Sequence, residues 1–314
     1  MGLTAQIRII LILLFSFITN YTEAQHKIDK DVTFSFKGKN NYAVLNSFLG
    51  NFKLDEITAE DCTSTSGIIK LISLSASAQE RWIIKSQYLQ QADTVLIFKL
   101  KSYNGLDKKP LVYLLHGYSE NYRQWPKIAD LQNLADRYGF FIVAPDGFQT
   151  YYINSAVNKS AQFEDFFFND LVPKLHSSFR IDEKNIFISG LSMGGYGALR
   201  LLINNSIYFN TGGSSSGALE IDHQKLNKAS RHFWGTDVMT DTMAVNLGNP
   251  QTADWNSLSI TELIKSSGFR GPFIFDCGTQ DILYRASENL KNMADALQIP
   301  AVFISGPGGH ASDY

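Results

Sequence analysis

The stretch Ile186-Phe187-Ile188-Ser189-Gly190-Leu191-Ser192-Met193-Gly194-Gly195 constrains the fold more than any other part of the chain. An apolar, β-branched run ends in a G-x-S-x-G pattern and passes at once into residues of helical spacing. A serine on such a strand-to-helix turn projects its Oγ above the sheet. The turn crowds the backbone, so Gly190 and Gly194 stand where a Cβ would not fit. The helix that follows points its N-terminus at Ser192, where it favours developing negative charge. A bare G-x-S-x-G arises by chance and can mark a structural turn; between a strand and a helix it is far more specific.

The same alternation runs through the rest of the chain. Short apolar runs rich in β-branched and aromatic residues at 68–74, 94–100, 111–115, 140–144, 185–189, 272–275 and 301–304 predict strands. Segments 125–138, 161–179, 193–203 and 285–297 carry apolar residues at helical spacing. Strands apolar throughout, each followed by a helix, indicate a parallel sheet covered on both faces. The right-handed crossover rule makes this an α/β chain with a mostly parallel, doubly wound sheet. Segment 25–66 is polar with scattered aromatics and fits poorly, so it reads as an N-terminal extension before a domain at 67–314. Segment 217–259 is irregular, and either roofs the serine or is a surface excursion.

A serine hydroxyl is a poor nucleophile without a base, and the base needs an orienting carboxylate. In a sheet of this kind the chain order is Ser, then Asp or Glu, then His. Downstream of Ser192 stand only His223, His232 and His310. His310 follows the 301–304 strand and a Ser-Gly-Pro-Gly-Gly loop, the place for a base, whereas His223 and His232 fall in the polar insertion. For the acid, Asp281 lies in the loop after strand 272–275 and Asp276 at the strand's end; Asp281 is preferred. An oxyanion needs backbone donors. Met193 N–H at the helix N-terminus is one, and Tyr118 N–H, after the strand that ends in His116-Gly117, is the second. His116 precedes the nucleophile and reads as a structural hydrogen-bonding residue rather than a base.

Composition narrows the function classes. With 314 residues and 44% hydrophobic content the chain can bury one large core or at most two domains. A formal net charge of −2 gives no electrostatic reason to expect nucleic acid or an anionic membrane. Arg8 precedes the apolar run Ile9 to Ile18, and Thr22-Glu23-Ala24 places small residues before Gln25, the pattern of a signal peptide at 1–24. The run is short for a bilayer span, which needs roughly 20 residues. An uncleaved anchor is the alternative; the expectation is an exported protein, secreted or periplasmic, with no integral span after cleavage. The two cysteines, Cys62 and Cys277, exclude a disulfide-dense scaffold and are read as free thiols. No C-x-x-C or H-E-x-x-H spacing occurs, and the glycines around Ser192 are not in G-x-G-x-x-G order, so neither a metal nor a cofactor is expected.

The segments 113–125 (YLLHGYSENYRQW), 143–147 (VAPDG), 190–197 (GLSMGGYG), 277–281 (CGTQD) and 306–310 (GPGGH) resemble the esterase D family of α/β-hydrolases, which includes S-formylglutathione hydrolases and tributyrin-type and feruloyl esterases. The resemblance runs from about residue 67 to the end, with the motifs in the family's order. It implies an α/β-hydrolase sheet of about eight strands, with nucleophile Ser192, acid Asp281 and base His310. Tyr151-Tyr152-Ile153-Asn154-Ser155 resembles the family stretch near the acyl pocket, where a Trp is often found in place of Tyr151. Family members usually continue past the histidine into a helix. Here Tyr314 ends the sequence, so one face of strand 301–304 is expected to lie uncovered, and two copies could pair through it as a homodimer.

These readings converge on a carboxylesterase acting on small-molecule or carbohydrate esters. Export turns the expectation away from glutathione thioesters and toward short-acyl, acetyl or feruloyl esters. Two alternatives stay open: an acyltransferase using the same three residues, and a hydrolase-fold binding protein with impaired catalysis.

Overall fold

Strands that are apolar on both faces must be covered on both, and the side chains of the central strands sort into two packed layers accordingly. In the computed structural model, residues 34–35 and 79–310 are described. The strands are β1 (Phe34–Ser35), β2 (Gln79–Ile84), β3 (Asp93–Phe98), β4 (Lys109–Leu115), β5 (Phe141–Pro145), β6 (Ile181–Gly190), β7 (Thr211–Ser215), β8 (Phe273–Gly278) and β9 (Ala301–Gly306). They form one sheet in the order β1-β9-β8-β7-β6-β4-β5-β3-β2. All neighbours pair in parallel except β3, which runs antiparallel to both β5 and β2. The expected mostly parallel α/β-hydrolase sheet is thus the sheet observed, eight full strands with the two-residue β1 added at its edge.

Alternation along β4 shows how the layers divide. Leu111, Tyr113 and Leu115 face the larger core, with Ile188, Phe167 and Leu201, while Val112 and Leu114 face the other side, with Phe187, Ile142 and Trp125. That second side is covered by α1 (Gln124–Ile128) and α2 (Leu131–Tyr138). Each such Leu or Ile, fully buried, contributes about 1.5–3 kcal/mol relative to exposure. The single helix expected at 125–138 is broken because Ala129 is extended and Asp130 caps α2, accepting from Asn133 N at 3.0 Å. The helix expected at 161–179 is likewise divided into α3 (Phe163–Phe166), a π-helical turn (Phe167–Leu171) and α4 (Val172–Ser178). Pro173 has no N–H to give to the turn before it, which accounts for the interruption.

Besides the two-residue β1, two strands escaped the sequence pattern. β2 is an edge strand with one exposed face, so Glu80 and Arg81 dilute its apolar signal. β7 reads Thr-Gly-Gly-Ser-Ser and yet is buried between β6 and β8. A Cβ on Gly212 would stand 3.1 Å from the Ile188 carbonyl and 3.2 Å from Leu202, so close helix packing selects small residues there. The candidate strand 68–74, the apolar N-terminal run and Cys62 lie outside the described residues. At the other edge, β1 pairs with Ile304–Ser305, and Ile274 of β8 and Ile304 of β9 are buried together on one face of the sheet. On the opposite face Phe275 and Phe303 stack at 4.7 Å beneath Tyr284. No helix among the described residues is long and apolar enough to cross a membrane.

Candidate active site

Ser192 sits between β6 and α5 (Met193–Asn204) with φ 57° and ψ −114°. A non-glycine residue rarely adopts a positive φ, at a cost of order 1–3 kcal/mol, so the surroundings must enforce it. Ser192 N donates to the Ser215 carbonyl at 2.9 Å, and its own carbonyl accepts from Tyr196 and Ala218, each at 3.1 Å. A Cβ on Gly190 would fall 2.2 Å from the Gly194 carbonyl oxygen, and one on Gly194 would fall 2.2 Å from that of Leu115. Only glycine allows the strand exit and the helix entry to touch in this way.

The loops after β8 and β9 bring Asp281 and His310 to this serine. His310 Nε2 lies 2.9 Å from Ser192 Oγ, and His310 Nδ1 lies 2.8 Å from Asp281 Oδ2. Asp281 Oδ1 accepts from Leu283 N at 2.8 Å, which aims the carboxylate. Burial pushes the Asp281 carboxyl up, but the hydrogen bond and charge of His310, the Leu283 amide and the Ser216 hydroxyl outweigh it and hold it below the usual carboxylate range. Asp276, the other candidate acid, is buried at the end of β8 and accepts from Ser215 Oγ at 2.9 Å. The two loops are joined beyond the sheet by Thr279 N to Gly306 O at 2.8 Å and Gln280 N to Gly308 O at 2.9 Å. His223 and His232 are exposed on the insertion.

Met193 N–H belongs to the first turn of α5, where backbone donors have no partner within the helix. The loop after β4 passes close to the serine, a Cβ on Gly117 standing 3.6 Å from that of Ser192. It is held in place as Gly117 N donates to Gln124 Oε1 at 2.8 Å and Trp125 Nε1 to the Leu115 carbonyl at 3.1 Å. His116 is fully buried, and Gly147 N donates to its Nε2 at 2.8 Å. Nε2 is therefore an acceptor, and Nδ1 carries the proton that bonds the Gly117 carbonyl at 2.8 Å. That neutral imidazole stitches two loops together and has no free nitrogen for a base. Tyr152 completes the support, its hydroxyl donating to the His116 carbonyl at 2.8 Å.

The irregular insertion contains two long helices, α6 (His223–Trp234) and α7 (Val238–Leu247), followed by α8 (Ile260–Ser267). It borders the site directly. The Phe233 ring lies 4.7 Å from that of His310, and the Trp234 ring 5.4 Å from that of Tyr118. Sequence reasoning missed these contacts, although the three consecutive rings His232-Phe233-Trp234 in a polar segment were a visible signal. Cys277 is a buried free thiol that burial holds well above its ordinary titration range.

A serine on a strained strand-to-helix turn, bonded to an imidazole that is bonded to a carboxylate, within a mostly parallel sheet, defines a serine hydrolase of the α/β-hydrolase fold. Residues 86–303 match the model of the family described as "Putative esterase". The chain belongs to this esterase family and is a serine ester hydrolase. It is 30% identical over 215 residues to an acetyl esterase of Caldicellulosiruptor saccharolyticus, an alignment covering 65% of this chain and 77% of that protein. Among solved structures it resembles a ferulic acid esterase (TM-score 0.61, 22% identity, covering 75% of this chain and 92% of that one). It also resembles the S-formylglutathione hydrolase FrmB of Staphylococcus aureus (TM-score 0.62, 18% identity, 75% and 92% covered). At these identities the structures speak for the fold alone.

Proposed function

We propose that the chain is an exported carboxylesterase that hydrolyses short-acyl, acetyl or feruloyl esters through an acyl-enzyme on Ser192. The single observation that carries this reading is His310, placed within hydrogen-bond reach of both Ser192 Oγ at 2.9 Å and Asp281 at 2.8 Å. In the first half-reaction His310 Nε2 takes the Ser192 proton as Oγ attacks the ester carbonyl. The negative charge moves to the carbonyl oxygen, where the Met193 and Tyr118 amides are the proposed donors. As the tetrahedral intermediate collapses, His310 gives its proton to the departing alcohol oxygen. Water then repeats the sequence on the acyl-serine: His310 takes its proton, the acid leaves, and Ser192 recovers its hydrogen. Asp281, ionised under all ordinary conditions, holds the imidazole in register and stabilises it while it is charged. Export rests on the apolar segment Ile9 to Ile18 and the small residues before Gln25.

The test is labelling with a fluorophosphonate, followed by a panel of p-nitrophenyl acyl esters and methyl ferulate. Wild type should label and turn over, and Ser192→Ala and His310→Ala should each lose on the order of 10⁶ in kcat. Wild type that neither labels nor hydrolyses any ester overturns the reading. Turnover that survives Ser192→Ala overturns the assigned nucleophile. Detection of the N-terminal residue of the exported protein at Gln25 checks the leader; retention of Met1 in it counts against cleavage there.

A further inference from the structure

Four rings follow one another from the site in a continuous series. From His310 the series passes to Phe233 at 4.7 Å, then to Trp234 at 5.3 Å, then to Tyr118 at 5.4 Å. It thus joins the residue that moves the proton to the residue proposed to donate to the oxyanion. The series is built to stay in place. Gly235 ends α6 in the left-handed region at φ 69°, and the buried Ser230 hydroxyl donates to the Thr236 carbonyl at 2.7 Å while accepting from Met239 N at 3.0 Å. Yet Trp234 itself is 39% exposed. A large indole packed between Phe233 and Tyr118 and yet this exposed is not explained by core packing.

The chemistry of ester cleavage says what meets it. His310 delivers its proton to the leaving oxygen, so the alcohol portion of the substrate lies on the His310 side of the serine, where Phe233 stands, with Trp234 the next ring in the series. Accepting the esterase reading above, we infer that Trp234 is a specificity-determining residue that stacks against a pyranose ring in the alcohol portion of the ester. A pyranose presents a face of C–H groups to an aromatic ring and hydroxyls at its rim, and Trp suits such half-wet contacts. The polar border of the series fits the rim: His232 is exposed next to the Phe233 ring at 5.1 Å, and Arg231, exposed one helical turn before Trp234, pairs with Asp237 at 2.6 Å. A long aliphatic alcohol matches less well, because it would desolvate those charged groups without replacing their hydrogen bonds. The exposure of Trp234 also suits a sugar that is one unit of a longer chain.

The experiment compares two acetates that differ only in alcohol: methyl 6-O-acetyl-glucopyranoside and ethyl acetate. Substituting Trp234→Ala should lower the ratio of kcat/KM for the sugar ester over ethyl acetate by about tenfold, chiefly through KM, and Trp234→Phe should keep most of it. A general loosening of Tyr118 would slow both esters and leave the ratio alone. An unchanged ratio with both esters still hydrolysed overturns the inference and leaves the esterase reading standing. Binding gives a readout free of turnover. Calorimetric titration of Ser192→Ala with the sugar ester should show Kd rising about tenfold when Trp234→Ala is added. If wild type hydrolyses no ester while this binding difference persists, the esterase reading fails and the sugar site stands; an unchanged Kd overturns the sugar site.

Discussion

The Tyr118 hydroxyl lies 2.6 Å from Thr242 Oγ1, so the loop carrying a proposed oxyanion donor is tied to a helix of the insertion. Thr242 donates to the Val238 carbonyl at 2.8 Å, which leaves its oxygen to accept from the tyrosine. The Tyr118 hydroxyl also lies 3.1 Å from the Val238 carbonyl, so Tyr118→Phe removes the loop's side-chain bonds to this one helix. It should destabilise the protein by about 0.5–1.5 kcal/mol and lower kcat more than it raises KM. Thermal melts and Michaelis kinetics check this, and unchanged values for both would make the contact idle.

Asp281 and Asp276 separate cleanly by substitution. Asp281→Asn should lower kcat by about 10⁴ because the imidazole loses the partner that fixes its tautomer. Asp276→Asn, which keeps an acceptor for Ser215, should retain most activity. The depressed titration of Asp281 adds a second signature. A carboxylate held low in the folded state lends stability above its unfolded pKa of about 4 and withdraws it as pH falls through the lower folded value. The stability difference between wild type and Asp281→Asn should therefore shrink on acidification below about pH 4.

Asp93 titrates in the opposite sense. It is fully buried, its Oδ1 accepts from Asp146 N at 3.2 Å, and its Oδ2 has no partner among the described residues. Burial, and then the charge of Asp146, raise its carboxyl well above the usual range. A folded pKa above the unfolded one gives stability that is full below the unfolded value and lost as pH rises toward the folded one. Asp93→Asn cannot ionise. Its stability relative to wild type should climb as pH rises from about 4 to neutrality, measured by denaturant titration at several pH values.

Tyr152 supports a prediction about packing. A Cβ on Gly197 would stand 2.3 Å from the Tyr152 ring, which is itself held by the bond to the His116 carbonyl. The ring has no room to retreat. Gly197→Ala should cost about 1–3 kcal/mol and displace the loop beneath Tyr118, visible as a lower melting temperature together with a lower kcat. A variant that melts and turns over as wild type would show that the ring can shift.

Much of the candidate site was legible because its residues sit where one strand or loop carries a strong local signature. Ser192 is flanked by glycines that only its turn demands, and His310 and Asp281 follow strands whose apolar runs are unbroken. β7 was not legible, since Thr211 to Ser215 owes its burial to the closeness of α5 and not to any apolar side chain. β2 was hidden by its exposed face. The insertion was legible as a deviation but not as a wall of the site. Its role depends on Phe233 meeting His310 across 77 residues of chain, a contact that no periodicity announces.

The bonds from Thr279 to Gly306 and from Gln280 to Gly308 extend the pairing of β8 and β9 out into the two loops. Asp281 and His310 consequently ride on one plank, while Ser192 rides on another, two strands from β8 at the end of β6. Motion of that sheet edge is therefore expected to carry Asp281 and His310 together, with the contact between His310 and Ser192 the one to lengthen. Loss of activity under mild destabilisation should then track the loss of serine labelling one for one, because both would depend on the same contact between His310 and Ser192.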